Sequence, residues 1–237
     1  MPGLYKDEAV VLKTMKLGEA DRIVTLMTRS HGKVRAVAKG VRKTKSRFGG
    51  RLEPFTRVDL MLYKGRGDLD TITSADIMAS FDVVRTDYTR LTAAASLVEL
   101  VDKITPDRER AVHTYMLLLS GLQALVDGRA DTVVPAFFVK LLSISGYHPQ
   151  LGICAGCGAN IRLSGFSAEL GGVVCEDCWQ EDDRAMRLSP EGIVLMARLL
   201  AADFGEHADP IEADEVTNVM RRYAEFHLER PLRSLRV

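Results

Sequence analysis

Two groups of residues in this chain have the types and spacing that chemistry needs: four cysteines and a dense run of cations. Cys154 and Cys157 form one Cys-x-x-Cys pair and Cys175 and Cys178 a second, with 17 residues between the pairs. That spacing suits a four-cysteine zinc site. Each pair can wrap an ion so that two thiolates meet it from adjacent corners of a tetrahedron. Gly156 and Gly158 let the first knuckle turn, while Gly165, Gly171 and Gly172 let a short hairpin fold back between the pairs. A redox pair or four unconnected thiols would compete with this reading. Two pairs at this spacing, with no fifth cysteine, favour one zinc ion. Four thiolates leave no open coordination position, so the expected role is structural, not catalytic. Glu176, Asp177, Glu181, Asp182 and Asp183 crowd the second pair, which argues against the ribbon as the main nucleic-acid surface.

The cations lie between His31 and Arg57. Lys33, Arg35, Lys39, Arg42, Lys43, Lys45, Arg47, Arg51 and Arg57 face a single acid, Glu53. The first half alternates: Lys33, Arg35, Val37 and Lys39 point to one side of a strand, and Val34, Ala36 and Ala38 to the other. Such a strand can cover a core and offer charge to solvent. From Arg42 to Arg51 the charge persists without alternation, and Ser46, Gly49 and Gly50 mark a flexible loop. Flexible cations can follow an irregular polyanion, so Lys33, Arg35, Lys39, Arg42, Lys43, Lys45, Arg47 and Arg51 are candidate phosphate contacts. Phe48 is the aromatic expected to be exposed there, as a base-stacking candidate. A solvated surface loop is the bland alternative. No phosphate loop, dinucleotide fingerprint, His-Glu-x-x-His or Gly-x-Ser-x-Gly occurs, so no catalytic constellation emerges and no enzyme is expected.

The elements that must hold these groups change character along the chain. From Glu8 to Met78 short strands alternate with turns: Ala9 to Met15, Arg22 to Thr28, the basic strand, Phe55 to Tyr63, and Leu69 to Ile77. Five strands whose longest connection lies between the third and fourth predict a small closed barrel of the OB type; an SH3-like barrel would read similarly. At Phe81 the period becomes helical. Helices are expected around Leu91 to Val101, over Arg108 to Asp127 and over Thr132 to Ser145, forming an antiparallel bundle. Ser189-Pro190-Glu191 starts another helix, and Val216 to Phe226 carries the stripe of a last one. The tail from Arg230 to Arg236 is cationic and reads as a frayed end. The predicted fold class is α+β multidomain. An N-terminal five-stranded OB-type barrel (1–80) binds nucleic acid, and an α-helical domain (81–237) carries the zinc ribbon as an insertion at 151–181.

The formal net charge is zero, but it hides a dipole: residues 1–80 carry 16 basic and 9 acidic side chains, leaving 16 and 23 for the remainder. A polyanion would meet the N-terminal part first. No apolar run is long enough to cross a membrane, and no signal peptide is visible at the start, so a cytoplasmic, nucleoid-associated protein is expected.

With these residues in hand, the chain resembles the RecO family of bacterial recombination mediators. The carrying stretches are Gly18 through Val24, Thr28 through Gly32, Ala36 through Arg42, Lys45-Ser46-Arg47 and Leu52 through Thr56. The resemblance resumes at Gly146-Tyr147-His148-Pro149, runs into the cysteines, and returns at the final helix. It implies an OB barrel and a helical domain with a zinc ribbon. It also implies a non-enzymatic role: binding single- and double-stranded DNA, annealing complementary strands and acting with RecR. Together they would help RecA displace the single-stranded-DNA-binding protein SSB, whose C-terminal tail contacts the helical domain. The family's DNA contacts map onto Lys39, Arg42, Lys45 and Arg47. A protein-interaction scaffold, with the basic loop on an acidic partner and DNA incidental, is the alternative.

Overall fold

Alternation along short β-rich runs builds the first half of the molecule. In the computed structural model, which describes residues 3–128, 130–201, 204 and 207–234, the first five strands are β1 (Gly3–Leu17), β2 (Asp21–Thr28), β3 (Gly32–Ala38), β4 (Arg57–Lys64) and β5 (Asp70–Ala79). They close a barrel in the order β1-β2-β3-β5-β4, with β4 returning to β1. All pairs are antiparallel except β3 with β5, which run parallel through Ala36 and Asp70. That crossover is the Greek key of an OB barrel, which decides between the two barrel types left open by the sequence. Val24, Leu26, Val34, Ala36, Ala38, Val58, Leu60 and Leu62 fill the interior, as period-2 patterning requires.

The outer face of β1 and β2 is apolar too. Val10, opposite Met27, is fully buried, as are Met27 and the bulge residue Leu12. They lie under two helices, α2 (Tyr88–Ile104) and α3 (Val112–Val126), which follow a short α1 (Asp82–Thr86) and pack on β1. Asp87 caps α2 by accepting from the Arg90 amide at 2.8 Å. Polar ties fasten the helices at the margins. Arg108 reaches the wholly buried Asp70 carboxylate at 2.9 Å, and Asp70 also accepts from the Tyr5 hydroxyl. Glu8 accepts from Arg57 at 2.7 Å and from the Tyr115 hydroxyl. The approach is close at Gly32, where a Cβ would lie 1.8 Å from the Glu109 carbonyl oxygen, and φ is +69°.

Two compact units result, 1–126 and 127–237. The expected boundary at 80/81 marks the change of period, whereas compactness groups α1–α3 with the barrel. The antiparallel three-helix bundle is therefore corrected. α2 pairs with α3, but the next helix, α4 (Ala130–Ile144), packs on α6 (Pro190–Ala201) and α7 (Pro210–Leu228) inside the second unit. Most of each apolar stripe is buried, although Leu91 and Phe226 at their ends are exposed; which helices the stripes meet depends on tertiary contacts that periodicity does not encode. Both late helices start as their sequences direct. Ser189 Oγ accepts from the Gly192 amide at 3.0 Å, and Asp209 accepts from Ile211 at 2.8 Å ahead of Pro210. The tail is not frayed through Leu232, which is fully buried with its amide on Glu225; residues 235–237 lie outside those described. Among the described residues no helix is long and apolar enough to cross a membrane.

Candidate nucleic-acid interface and metal centre

The basic segment leaves β3 at one end of the barrel and is pinned beside the β1–β2 turn. Gly40 turns with φ +68°, and its amide donates to Asp21 at 2.7 Å. The Arg42 amide donates to the Ala20 carbonyl, and its guanidinium spans the carbonyls of Gly18 and Glu19 at 3.1 and 2.8 Å. Successive turns follow: Lys43 to Gly40, Ser46 to Lys43, Arg51 to Phe48, Glu53 to Gly50. The flexible loop of the sequence reading is thus a chain of hydrogen-bonded turns. Its anchors are Phe48 and Leu52, 1% and 2% exposed, inserted into the barrel core.

This overturns the expectation for Phe48. The ring plugs the barrel and cannot stack on a base; an apolar residue among cations was drawn inward by the hydrophobic effect. The spacing Phe48-x-x-x-Leu52 was the available signal, since two apolar residues one turn apart suit a plug. Arg47 packs over the Phe48 ring, with its guanidinium 4.8 Å from the centroid.

Lys33 also departs from the expected cationic face. Its side chain is 12% exposed, and its ammonium donates to the Asp102 carbonyl and pairs with Asp107 at 3.2 Å. It ties the barrel to the α2–α3 connection. Arg57 is likewise engaged with Glu8. The remaining candidates Arg35, Lys39, Arg42, Lys43, Lys45 and Arg47 are exposed and Arg51 half-buried. Among the described residues no carboxylate lies within ion-pair distance of them. Arg51 donates to the neutral Arg47 carbonyl at 2.7 Å, so its charge remains uncompensated. The outward-facing Arg35 of β3 and the cations of the segment that follows it are thus all left to solvent.

The sequence reading missed the acid–base ties of the first unit because each joins residues 38 or more positions apart. Their electrostatics follow from their surroundings. Burial raises the Tyr5 hydroxyl well above its ordinary range, and its bond to Asp70 adds to that. The Arg57 hydrogen bond holds Glu8 below the usual carboxylate range.

In the second unit the cysteines converge. The chain forms β6 (Leu163–Ser167), β7 (Gly172–Cys175), α5 (Glu176–Glu181) and a two-residue β8 (Met186–Arg187), with strand order β7-β6-β8. The ribbon therefore runs past 181, to a third strand too short for the sequence to announce. All four Sγ atoms lie within 4.8 Å of one another, and none forms a disulfide. Cys157 and Cys175 Sγ are 3.7 Å apart. A tetrahedral ion with metal–sulfur bonds of about 2.3 Å sets sulfur edges of about 3.8 Å, so the thiols fit such an ion. Amides of Cys157 and Cys175 point at Cys154 Sγ at 3.5 and 3.4 Å. Burial pushes the Cys154 thiol up, but these amides and that of Gly156 outweigh it and bring it down to about 6. Hydrogen bonding among the clustered sulfurs of Cys154, Cys157 and Cys175 pushes the Cys178 thiol up to about 12. The ribbon docks on α7 through Phe166 and Tyr223, whose rings meet edge to face at 5.1 Å.

Comparison with known proteins agrees with this architecture. The family described as "Recombination protein O N terminal" matches residues 1–81, and "Recombination protein O C terminal" matches residues 85–236. A protein of Nocardioides sp. named "DNA repair protein RecO" is 43% identical, with 98% of each chain covered. Proteins of the same name from Thermobifida fusca and Bifidobacterium longum subsp. infantis are 41% and 44% identical, each match covering 99% of this chain and 98% of the relative. Matches of this extent to both halves, on a barrel and a cysteine-bearing helical unit arranged as described, place the chain in the RecO family of recombination proteins.

Proposed function

We propose that the protein is a non-enzymatic DNA repair mediator whose barrel region, residues 1–80, holds DNA by its phosphates. The observation that carries this reading is the run of exposed cations, Arg35, Lys39, Arg42, Lys43, Lys45 and Arg47, in and directly after β3, with no carboxylate partner among the described residues. The relatives' shared name, DNA repair protein RecO, supports the biological setting. Cations that neutralise phosphates on two strands at once lower the repulsion between them, which favours annealing of complementary sequences. Contacts to backbone alone give little sequence preference and accommodate single and double strands. The four cysteines hold one zinc ion, whose thiolate bonds supply folding energy to the ribbon without an open catalytic position. Action with RecR to load RecA onto SSB-coated strands, contact with the SSB C-terminal tail and a cytoplasmic, nucleoid-associated location complete the role that the family resemblance implies.

The test is anisotropy of labelled single-stranded DNA across a salt series. Each neutralised phosphate of a single strand contributes about 0.7 to the slope of log affinity against log salt. Replacing Arg42, Lys43, Lys45 and Arg47 together by alanine should lower that slope by about 3 and slow annealing. An unchanged slope in the quadruple variant would remove the loop from the interface.

A further inference from the structure

The end of the barrel beside the basic loop is not fully plugged. β4 and β5 pair so that Val58 stands opposite Ile77 and Leu60 opposite Ala75. Directly opposed residues of an antiparallel pair share a face, so Ile77 has the inward register of Val58, Leu60 and Ala75. Those three are buried, yet Ile77 is 49% exposed. It lines a cavity of about 690 Å³ together with Phe48, Gly49, Gly50 and Arg51. That volume lies within the roughly 300–1,000 Å³ typical of small-molecule sites. Next to Gly49 and Gly50 the space is open: a Cβ at either position would meet nothing within 4 Å.

Of the charged residues around it, both acids are paired and Arg51 is not. Glu53 is held by Arg22 at 3.1 Å, and Asp82 by Arg85 at 2.8 Å. Arg85 is spent further on the carbonyls of Pro54 and Ser80. Arg51 keeps an uncompensated charge at the wall, and Arg47 is fixed over the Phe48 ring beside it. The exposed Ile77 side chain beside the uncompensated Arg51 complements a ligand with an apolar planar part joined to an anionic chain. The geometry points to a seat for an unstacked nucleobase of single-stranded DNA, with Ile77 as the apolar contact while Arg47 and Arg51 hold adjoining phosphates. A paired duplex keeps its base faces stacked and cannot fill this cavity. The seat gives the barrel a preference for single strands that phosphate contacts alone do not supply, in the place of the stacking surface that Phe48 does not offer.

This inference rests on the phosphate-led reading, and one experiment separates the two. Anisotropy is measured for an oligothymidylate, an abasic strand of equal phosphate number and a duplex of equal length, with the wild-type chain and with Ile77→Ser. The wild type should prefer the base-bearing strand to the abasic one by about fivefold, as burial of half an isoleucine side chain predicts. Ile77→Ser should lose most of that ratio and leave the abasic and duplex affinities, and their salt slopes, unchanged. An unaltered ratio in the variant, or no wild-type preference, overturns the seat and leaves phosphate binding intact. Absence of binding to all three overturns both. Should the variant fold poorly, a 2-aminopurine strand bound to the wild type gives an independent readout. Its emission should change on binding and become protected from an added quencher, and an emission identical to the free strand's would exclude the seat.

Discussion

Lys33, in β3, and Lys39, directly after it, share one alternation in the sequence and end in different surroundings. Lys33 is nearly buried against Asp102 and Asp107, whereas Lys39 is exposed without an acid beside it. Alternation placed Lys33 on the outer face of β3, although the strand ends before Lys39; what lies over Lys33 was invisible, because the covering acids come from 69 or more residues downstream. Phe48 teaches the same point inverted, since its aromatic ring among cations reads as exposed yet fills the core. Phe48→Ala should cost about 3–5 kcal/mol in urea unfolding, and any loss of DNA affinity should follow the unfolded fraction. A Phe48→Ala chain of unchanged stability that fails to bind would return the ring to the interface. Glu8 yields a pH prediction. Its folded pKa lies below the ordinary 4.5, so its contribution to stability is complete above that value and is lost as pH falls through the folded one. The difference in melting temperature between the wild type and Glu8→Gln should therefore shrink between about pH 6 and about pH 3.

At the scale of elements, the cysteine pairs were the most legible feature, because metal spacing is a local constraint that sequence displays directly. The third strand of the ribbon escaped notice because two residues carry no period. Docking of the ribbon on α7 escaped too, since Phe166 and Tyr223 are 57 positions apart and each looks like ordinary core. That docking sets the reach of metal loss. The single tryptophan, Trp179, lies in α5 against β6, where a Cβ on Gly165 would come within 2.5 Å of the indole. A strong chelator should shift Trp179 emission to the red and lower the thermal midpoint of the second unit. Added zinc should restore both, and the salt slope of DNA binding should stay unchanged. Emission indifferent to chelation would mean that the ribbon folds without its ion.

Across the whole molecule the charge dipole survives redrawing of the boundary. Residues 1–126 carry 21 basic and 15 acidic side chains, and residues 127–237 carry 11 and 17. The sequence made this polarity plain, along with both classes of fold, because charge and period are additive along the chain. It did not reveal that α1–α3 belong with the barrel, which follows from an apolar outer face on β1 and β2 that must be covered. A fragment of residues 1–126 should fold and bind DNA at low salt at least as tightly as the full chain, because an acidic body has been removed. A fragment of residues 1–80 should precipitate, with Val10 and Met27 uncovered, and a soluble, well-folded 1–80 would contradict the covering role. The seam beneath those helices narrows to Gly32, where not even one methyl group has room. Gly32→Ala would therefore act as a wedge that spares both hydrophobic interiors, the kind of lesion that geneticists recover as a heat-sensitive allele. Cells carrying it should repair their DNA when cool and fail when warm.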